Sequence, residues 1–151
     1  MITIKNTQKN IKINNTLIRK LIKKILQEIG YPDFDIGLWF TTNKTIQKYN
    51  KNYRGIDKPT DILSFPYHAT ITPEKILNAR TPEDKNLGDL IISAEFVKKG
   101  ALELHKNFTE HLDTILIHGI CHLIGHTHEH DRDYQKMARL EKTLLRLIND
   151  Q

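Results

Sequence analysis

Apolar residues recur along the chain with a helical period in some segments and a strand-like period in others. The clearest helical pattern runs from Thr16 to Ile29, where lysines and an arginine lie opposite an apolar stripe. The stripe consists of Ile18, Leu21, Ile22, Ile25, Leu26 and Ile29. Asn14 or Asn15 can cap this helix at its start, and Gly30 can end it. The pattern therefore predicts an amphipathic helix with one face in a core.

Short apolar segments and polar segments alternate along the rest of the chain. Segments rich in β-branched and aromatic residues predict four strands, at Met1–Lys5, Ile36–Thr42, Asp61–Phe65 and Leu87–Ile92. Helical spacing and capping residues predict four further helices: one ending near Tyr49, one from Ser93 to about Leu104, one from Thr109 to Ile124, and one from Asp131 or Asp133 onward. We expect an α+β fold, with a small mixed four-stranded sheet packed with about five helices, in a single domain over residues 1–151.

Two polar segments are predicted as connections rather than elements. The segment NKNYRGIDKP, residues 50–59, contains a glycine and a proline and is predicted to be a loop. Residues 68–86 contain two prolines and many polar residues, and we expect a long connection with one helical turn at most.

The composition limits the cellular compartment in which we expect the protein more than it limits the function that we expect. The net charge of +5 favours polyanionic partners such as RNA, although scattered lysines equally describe a solvated surface. The one cysteine, Cys121, excludes an internal disulfide and suits a reducing compartment. No apolar run approaches the ~20 residues that span a bilayer, and the first residues lack a signal-peptide pattern. We therefore expect a cytoplasmic protein with no membrane partner.

The stretch HGICHLIGHTHEHD, residues 118–131, carries the strongest chemical signal in the chain. On a helix, His118 and His122 lie one turn apart on the same face, at the spacing at which two imidazoles share one ion. Gly125 can end the helix in a left-handed turn and return His128 to that ion. Three nitrogens leave a fourth position open, as at catalytic zinc sites. The pattern predicts one divalent ion, preferably Zn²⁺, at the end of the penultimate helix, although nickel, cobalt and iron also accept imidazole.

Other arrangements of these side chains stay open at this point. His126 or His130 could replace His128 as the third ligand, or could support the site as an outer hydrogen-bond partner or proton relay. Cys121 could also be a ligand, although a small buried apolar role suits it better. A histidine-rich helix end without metal, favoured by the helix dipole, is the alternative to a metal site.

The same spacing occurs in metzincin proteases, which place a glutamate directly after the first histidine as the general base. Here that position is Gly119. Without a carboxylate there, the usual peptide-hydrolysis mechanism lacks its proton acceptor. The pattern therefore favours a different hydrolysis.

Three separated blocks resemble the YbeY-type bacterial rRNA maturation factors, which are metal-dependent single-strand endoribonucleases. HGICHLIGHTH, residues 118–128, resembles the family pattern H-G-x-L-H-L-x-G-Y-D-H, with Cys121, His126 and Thr127 as departures that bear on metal preference. NKNYRGIDKPTDILSFPY, residues 50–67, and NLGDLIIS, residues 86–93, resemble two further family segments in the same order.

The resemblance implies roles for individual residues. It makes His118, His122 and His128 the metal ligands, and it implies catalytic roles for His118 and Arg54. Asp61 and Asp89 match acidic positions of the family to which it assigns no role. The implied function is cleavage of single-stranded RNA in rRNA processing, including 16S rRNA 3′-end maturation, and in ribosome quality control.

These residues suggest a mechanism and a set of RNA contacts. The metal would activate water or the scissile phosphate, with Arg54 stabilising the developing charge, and attack by the ribose 2′-hydroxyl is equally open. Lys48, Lys51 and Lys58 could contact backbone phosphates. Bases could stack on three tyrosines, Tyr49, Tyr53 and Tyr67. The expected partners are rRNA and ribosomal particles, and ribosomal or GTPase-type protein partners stay open.

Two other functions compete with RNA cleavage. The chain could be a zinc metallohydrolase of a peptide or small molecule, which cleavage of casein but not of RNA would indicate. It could also be a ribosome-associated binding module whose zinc only joins the last two helices. Removal of metal would then unfold the chain, whereas a catalytic site would lose activity and keep its fold.

Overall fold

The computed structural model describes residues 1–150, which form four strands and five helices. The strands are β1 (Ile2–Asn6), β2 (Asp35–Thr41), β3 (Ile62–Pro66) and β4 (Asn86–Ser93). The helices are α1 (Asn15–Glu28), α2 (Asn43–Arg54), α3 (Ala94–Glu103), α4 (Phe108–Leu123) and α5 (Asp131–Asn149). A short 3-10 helix, Pro82–Asp84, precedes β4.

The four strands form one mixed sheet in the order β1-β2-β4-β3. β1, β2 and β4 run parallel to one another, and β3 pairs antiparallel with β4. The antiparallel strand lies at the edge, beside otherwise parallel pairs, as in many mixed sheets. The prediction of an α+β fold with a mixed four-stranded sheet and five helices is confirmed.

The two faces of the sheet are covered unequally. One face packs against α1, α3 and α4, and α5 packs on α4 and α1. Alternate residues of β2 and β4, such as Leu38, Phe40, Leu90 and Ile92, are buried there in the main core. The opposite face packs against α2, through a small cluster of Ile46, Leu63 and Ile91. The second face therefore stays partly open.

The end of α2 differs from the sequence prediction. A loop was predicted from residue 50, but α2 continues to Arg54 and ends at Gly55, whose φ of 71° is a left-handed cap. The prediction was wrong because it rested on the polar composition of residues 50–59. Ile46, Tyr49 and Tyr53 follow helical spacing and form a narrow apolar face that continues the helix. Arg54 consequently lies on the last turn of a helix rather than in a loop.

The long connection between β3 and β4 contains one short 3-10 helix, as expected. It is attached to the core by buried Ile71 and by a hydrogen bond of 2.9 Å in which the Leu77 amide donates to the Tyr31 hydroxyl. Among residues 1–150, no helix combines the length and apolarity that crossing a membrane requires.

Candidate functional site

Three histidine side chains meet at the end of α4. His118 and His122 lie one turn apart on this helix, and their Nε2 atoms are 3.1 Å apart. His128, from the segment that follows, joins them, so that one ring nitrogen from each histidine lies within 4.8 Å of the others. The structure thus brings together the three histidines that the spacing singled out.

Gly125 makes the return of the chain towards the helix sterically feasible. Its φ is +102°, and a Cβ at this position would lie 2.6 Å from the carbonyl oxygen of Ile71. The next amide, that of His126, donates to the Cys121 carbonyl at 3.0 Å, which closes the helix end. Any side chain at residue 125 would push the third histidine away from the other two.

Hydrogen bonds fix the orientation of two of the imidazole rings. His118 Nδ1 lies 3.1 Å from the Glu141 Oε2 atom, and His122 Nδ1 lies 2.9 Å from the His126 carbonyl oxygen. Since a carbonyl only accepts, His122 Nδ1 carries the proton, and a neutral ring then directs its Nε2 lone pair at His118. The Glu141 carboxylate also only accepts, so His118 has the same tautomer as His122. A carboxylate behind a metal-binding histidine has this effect.

This donor set fits a divalent cation. Two nitrogen lone pairs 3.1 Å apart repel each other unless a positive charge lies between them. Tetrahedral zinc with nitrogen ligands at about 2.1 Å sets its ligand atoms about 3.4 Å apart, close to the observed separation. Burial also lowers the pKa of His122, which favours the neutral ring that a metal requires.

The neighbouring histidines and the cysteine lie outside this group. His126 is buried and contributes its backbone carbonyl, while exposed His130 caps α5 without a side-chain hydrogen bond. Cys121 is fully buried, and burial, with a smaller contribution from Glu141, raises the pKa of its thiol to about 12. A neutral buried thiol agrees with the apolar role expected for Cys121.

A cavity of about 790 Å³ opens beside the histidines and reaches the end of α2. Its lining includes all three histidines of the group and, across from α4, Tyr53, Arg54 and Asp61. Arg54 and the histidine group were predicted from blocks more than sixty residues apart in sequence, and the fold places them around one space.

Arg54 is exposed and is oriented from within its own helix. Its Nη1 atom donates to Asn50 Oδ1 at 3.3 Å, and Asn50 Nδ2 donates to the Lys58 carbonyl at 2.9 Å. Asn50 is 2% exposed, so it forms a fixed base for the guanidinium. No salt bridge joins Arg54 to another of residues 1–150, which leaves most of its donors for a ligand.

The three predicted phosphate-binding lysines lie on α2 and just after it. None of Lys48, Lys51 and Lys58 belongs to the cavity lining, and Lys51 lies 3.9 Å from the carboxylate of Asp57. All three lysines are exposed, so contacts to RNA outside the cavity stay a prediction.

Asp61 and Asp89, the two acidic residues that match family positions, lie at different places in the fold. Asp61 lines the cavity, and its Oδ1 accepts from the Ile62 amide at 2.7 Å. Asp89 lies instead on the partly open face of the sheet, together with Tyr49. Tyr53 lines both spaces, and Tyr67 lines neither.

Sequence reasoning missed Glu141, Asn50 and His68 as parts of this site. Glu141 lies on the inward face of α5, four residues after buried Met137 and three before buried Leu144. A carboxylate in an otherwise apolar stripe was the signal that could have found it. Asn50 and His68 gave no such pattern. His68 lines the cavity while its Nε2 lies 2.6 Å from the Asp84 carbonyl oxygen.

Gly119 has a steric role that also bears on the choice of chemistry. A Cβ at Gly119 would lie 2.6 Å from Ile62 Cδ1 and 3.0 Å from Leu90 Cδ2, because α4 packs closely on the sheet here. The position that holds the general base in metzincins therefore faces the core in this chain and has no room for a glutamate.

Several known proteins resemble this chain in sequence or in fold. The family model described as Endoribonuclease YbeY matches residues 3–149. A human protein named Endoribonuclease YbeY is 33% identical over 144 residues, covering 95% of this chain and 86% of its own length. A namesake from Vesicomyosocius okutanii is 34% identical over 148 residues, covering 98% and 96%. A Thermotoga maritima protein solved in solution superposes with a TM-score of 0.62 at 26% identity, covering 97% of this chain and 87% of that one.

Proposed function

The chain belongs to the endoribonuclease YbeY family, and on this premise we propose that it cuts single-stranded RNA in the cavity between the histidine group and Arg54. One observation supports the proposal most directly. Three imidazole nitrogens lie within 4.8 Å of one another on one side of the cavity, and the Arg54 guanidinium, which has no salt bridge to residues 1–150, lines the same cavity. A phosphodiester needs both features, because charge develops on its oxygens as the bond breaks.

We assign the metal as one zinc ion held by His118, His122 and His128. Imidazole ligands suit zinc, and three of them leave a position for substrate or water. A divalent ion there would supply Lewis-acid chemistry at neutral pH, acting on water or on the scissile phosphate. Glu141 and the His126 carbonyl keep the two helical rings in the orientation that binding requires.

Arg54 acts on the phosphate in this proposal. Its planar group of donors matches two phosphate oxygens, and charge on those oxygens increases as the reaction proceeds. Asn50 holds the guanidinium by one hydrogen bond and leaves the remaining donors free to follow the phosphate. Asp61, just before β3, lines the cavity and is close enough to it to position a ribose hydroxyl.

The biological substrate that we propose is rRNA, with 16S 3′-end maturation and ribosome quality control in the cytoplasm as the setting. Family membership and the net charge of +5 support this assignment. A single strand suits the cavity because it can bend a phosphate inward, whereas a duplex holds its phosphates on a rigid outer surface. Protein partners on the ribosome, including a GTPase, belong to the same proposal.

The test compares one RNA sequence as an end-labelled single strand and as a blunt duplex. We expect metal-dependent cuts within the single strand and at least about tenfold slower cleavage of the duplex. His118→Ala should abolish the cuts, because the metal group loses a ligand. His105→Asn is the matched control: it removes an exposed imidazole at a φ of 55°, which asparagine tolerates.

Each alternative function has its own signature in this experiment. Equal cleavage by the wild type and by His118→Ala would contradict the proposed site and indicate a contaminating nuclease. Loss of helical circular dichroism on chelation would instead support a zinc ion that only stabilises the fold. Cleavage of casein without cleavage of RNA would support a peptide hydrolase.

A further inference from the structure

The partly open face of the sheet carries a row of aromatic side chains that the proposed cleavage chemistry does not use. Trp39 and Tyr49 meet edge to face with ring centroids 5.6 Å apart. Tyr49 and Tyr53 are stacked at 6.2 Å, and Tyr53 meets Phe65 at 5.1 Å. Four rings from β2, α2 and β3 thus form one continuous surface, which we call the aromatic platform (Trp39, Tyr49, Tyr53 and Phe65).

A cavity of about 370 Å³ lies on the aromatic platform. Its lining is mainly apolar and includes all four rings. Tyr53 is 67% exposed and the other three rings are partly exposed, so the aromatic platform is accessible to solvent. Exposed aromatic rings on a sheet are a common stacking surface for bases of single-stranded RNA.

The aromatic platform is continuous with the cavity that holds the histidine group. Tyr53 and Phe65 line both spaces, and Arg54 follows Tyr53 directly. A strand whose phosphate lies beside Arg54 would therefore place a neighbouring base at the aromatic platform, because a base and the next phosphate along a strand lie close together.

Two charged groups at the platform suit a nucleotide rather than an apolar ligand. Lys5 Nζ lies 4.7 Å from the centroid of the Trp39 ring, at a position from which it can reach a phosphate. Asp89 pairs in register with Gly37 on β2 and with Phe65 on β3. A Cβ at Gly37 would overlap Asp89 Oδ1, so the missing side chain leaves the space that the carboxylate occupies.

The Asp89 carboxylate is free to accept hydrogen bonds. It is exposed, and no salt bridge links it to any of residues 1–150. An ionised carboxylate offers two acceptor oxygens and no donor. It therefore matches the edge of a base that presents two adjacent donors, which among the four RNA bases is guanine, with its N1–H and amino groups.

We propose that the aromatic platform binds a base of the substrate strand beside the scissile phosphate, and that Asp89 makes guanine the preferred base. The inference rests on the proposed function, because it takes RNA as the ligand, and it adds a sequence preference to that function. Stacking on the rings supplies affinity for any base, and the Asp89 carboxylate distinguishes guanine from uracil, which presents only one donor between two acceptors.

The test uses the fluorescence of Trp39, the only tryptophan in the chain. The full-length protein is titrated with two cleavage-resistant 2′-O-methyl hexanucleotides, one of uridine alone and one with a single central guanosine. Both should change the Trp39 emission, and the guanosine-containing strand should bind about tenfold more tightly. This readout does not depend on catalysis.

Two variants and one control separate stacking from base recognition. Asp89→Asn should reduce the preference for guanosine to less than about twofold, with little change in affinity for the uridine strand. Tyr53→Leu should weaken binding of both strands about fivefold or more, because a stacking ring is lost. Tyr134→Leu removes an exposed tyrosine that lines neither cavity, and it should change neither affinity.

Each result decides one part of the inference. Equal affinity of the wild type for both strands would overturn the role of Asp89, independently of any variant. Unchanged Trp39 emission at RNA concentrations that support cleavage would overturn the platform while leaving the proposed function intact. A guanosine-dependent change in emission from a protein that cuts no RNA would keep the platform and contradict the proposed function.

Discussion

The two sides of the main cavity are held in very different ways. The histidine side (His118, His122 and His128) is attached to two helices: α4 carries two of the rings, and Glu141 of α5 holds one of them from behind. The arginine side is the exposed last turn of α2, where Arg54 has one hydrogen bond, to Asn50. One side is preorganised, and the other can move.

This difference agrees with the chemistry required of each side. A metal site needs its ligand atoms fixed to within fractions of an ångström, because coordination distances are short and directional. A group that follows charge on a phosphate must instead adjust as the bond breaks, and a long exposed side chain does so at low cost. We therefore expect mutations on the histidine side to affect metal binding and those on the arginine side to affect catalysis while the metal stays bound.

The largest effect should come from removing a helical ligand. His122→Ala should lower RNA cleavage by about 10³-fold or more, because a catalytic metal contributes several kcal/mol to the transition state. The bound metal should fall in parallel, as measured by atomic absorption on protein desalted in metal-free buffer. Normal metal content with normal cleavage would place the ion elsewhere.

Removing the guanidinium should give the next largest effect and should leave the metal in place. We expect Arg54→Ala to lower kcat for RNA cleavage about 10²-fold with metal content unchanged, because one charge-stabilising donor group is lost. Arg54→Lys should recover only part of the rate, since a point charge does not match two oxygens. Full activity in Arg54→Ala would remove Arg54 from the mechanism.

Glu141, which holds one ring of the histidine side from behind, allows a more specific test of the same comparison. Glu141→Gln should weaken metal binding about 10- to 100-fold, which is usual when the carboxylate behind a ligating histidine is lost. Cleavage should return to near the wild-type rate when excess zinc restores occupancy. A competition assay with a chromogenic chelator measures the affinity, and an unchanged affinity would contradict the supporting role.

The equivalent support on the arginine side should have a smaller effect. Asn50→Ala should lower cleavage by roughly tenfold through loss of Arg54 orientation, and the loss should vanish in an Arg54→Ala background. It should also lower the free energy of unfolding by about 0.5 to 1.5 kcal/mol, since the Lys58 carbonyl loses its hydrogen bond from Asn50. Additive losses in the double variant would show that Asn50 does not act through Arg54.

The smallest effect lies outside both sides, near the start of α4. Burial raises the pKa of Asp113 to about 6. The folded protein therefore holds this proton more tightly than the unfolded chain, so the free energy of unfolding falls as pH rises from about 4 to about 6. Asp113→Asn should raise that free energy at pH 7.5 by less than about 1 kcal/mol, because the carboxyl is only half buried, and should give no gain at pH 4. Urea unfolding at both pH values measures this, and equal effects at the two would contradict the shifted pKa.

Local patterns in the sequence were enough to predict the histidine group. The two helical rings follow from a spacing of four residues, and the third follows from a glycine that permits a left-handed turn. Both constraints act over about ten residues, so they can be recognised without knowledge of the tertiary structure. The fold class was likewise accessible, because apolar periodicity determines which segments bury a face.

Features that depend on long-range packing could not be predicted in this way. Glu141 reaches His118 only because α5 packs beside α4, and the resemblance named Arg54 without placing it in a helix. The division between Asp61 and Asp89 depends on where β3 begins, because Asp61 lies just before this strand, whereas Asp89 lies within β4 on the partly open face. That assignment requires the register of β3 on β4, which polar composition does not indicate.

The most direct test of the central claim is a metal titration followed by RNA cleavage in the same samples. Metal-free protein is loaded with increasing zinc, and the initial rate of cleavage of a labelled single-stranded RNA is measured at each level beside Arg54→Ala. We predict a rate that rises linearly and levels at one ion per chain, with Arg54→Ala following the same binding curve at about one hundredth of the rate. Full activity in metal-free protein, or a plateau that bears no relation to one ion per chain, would contradict the account.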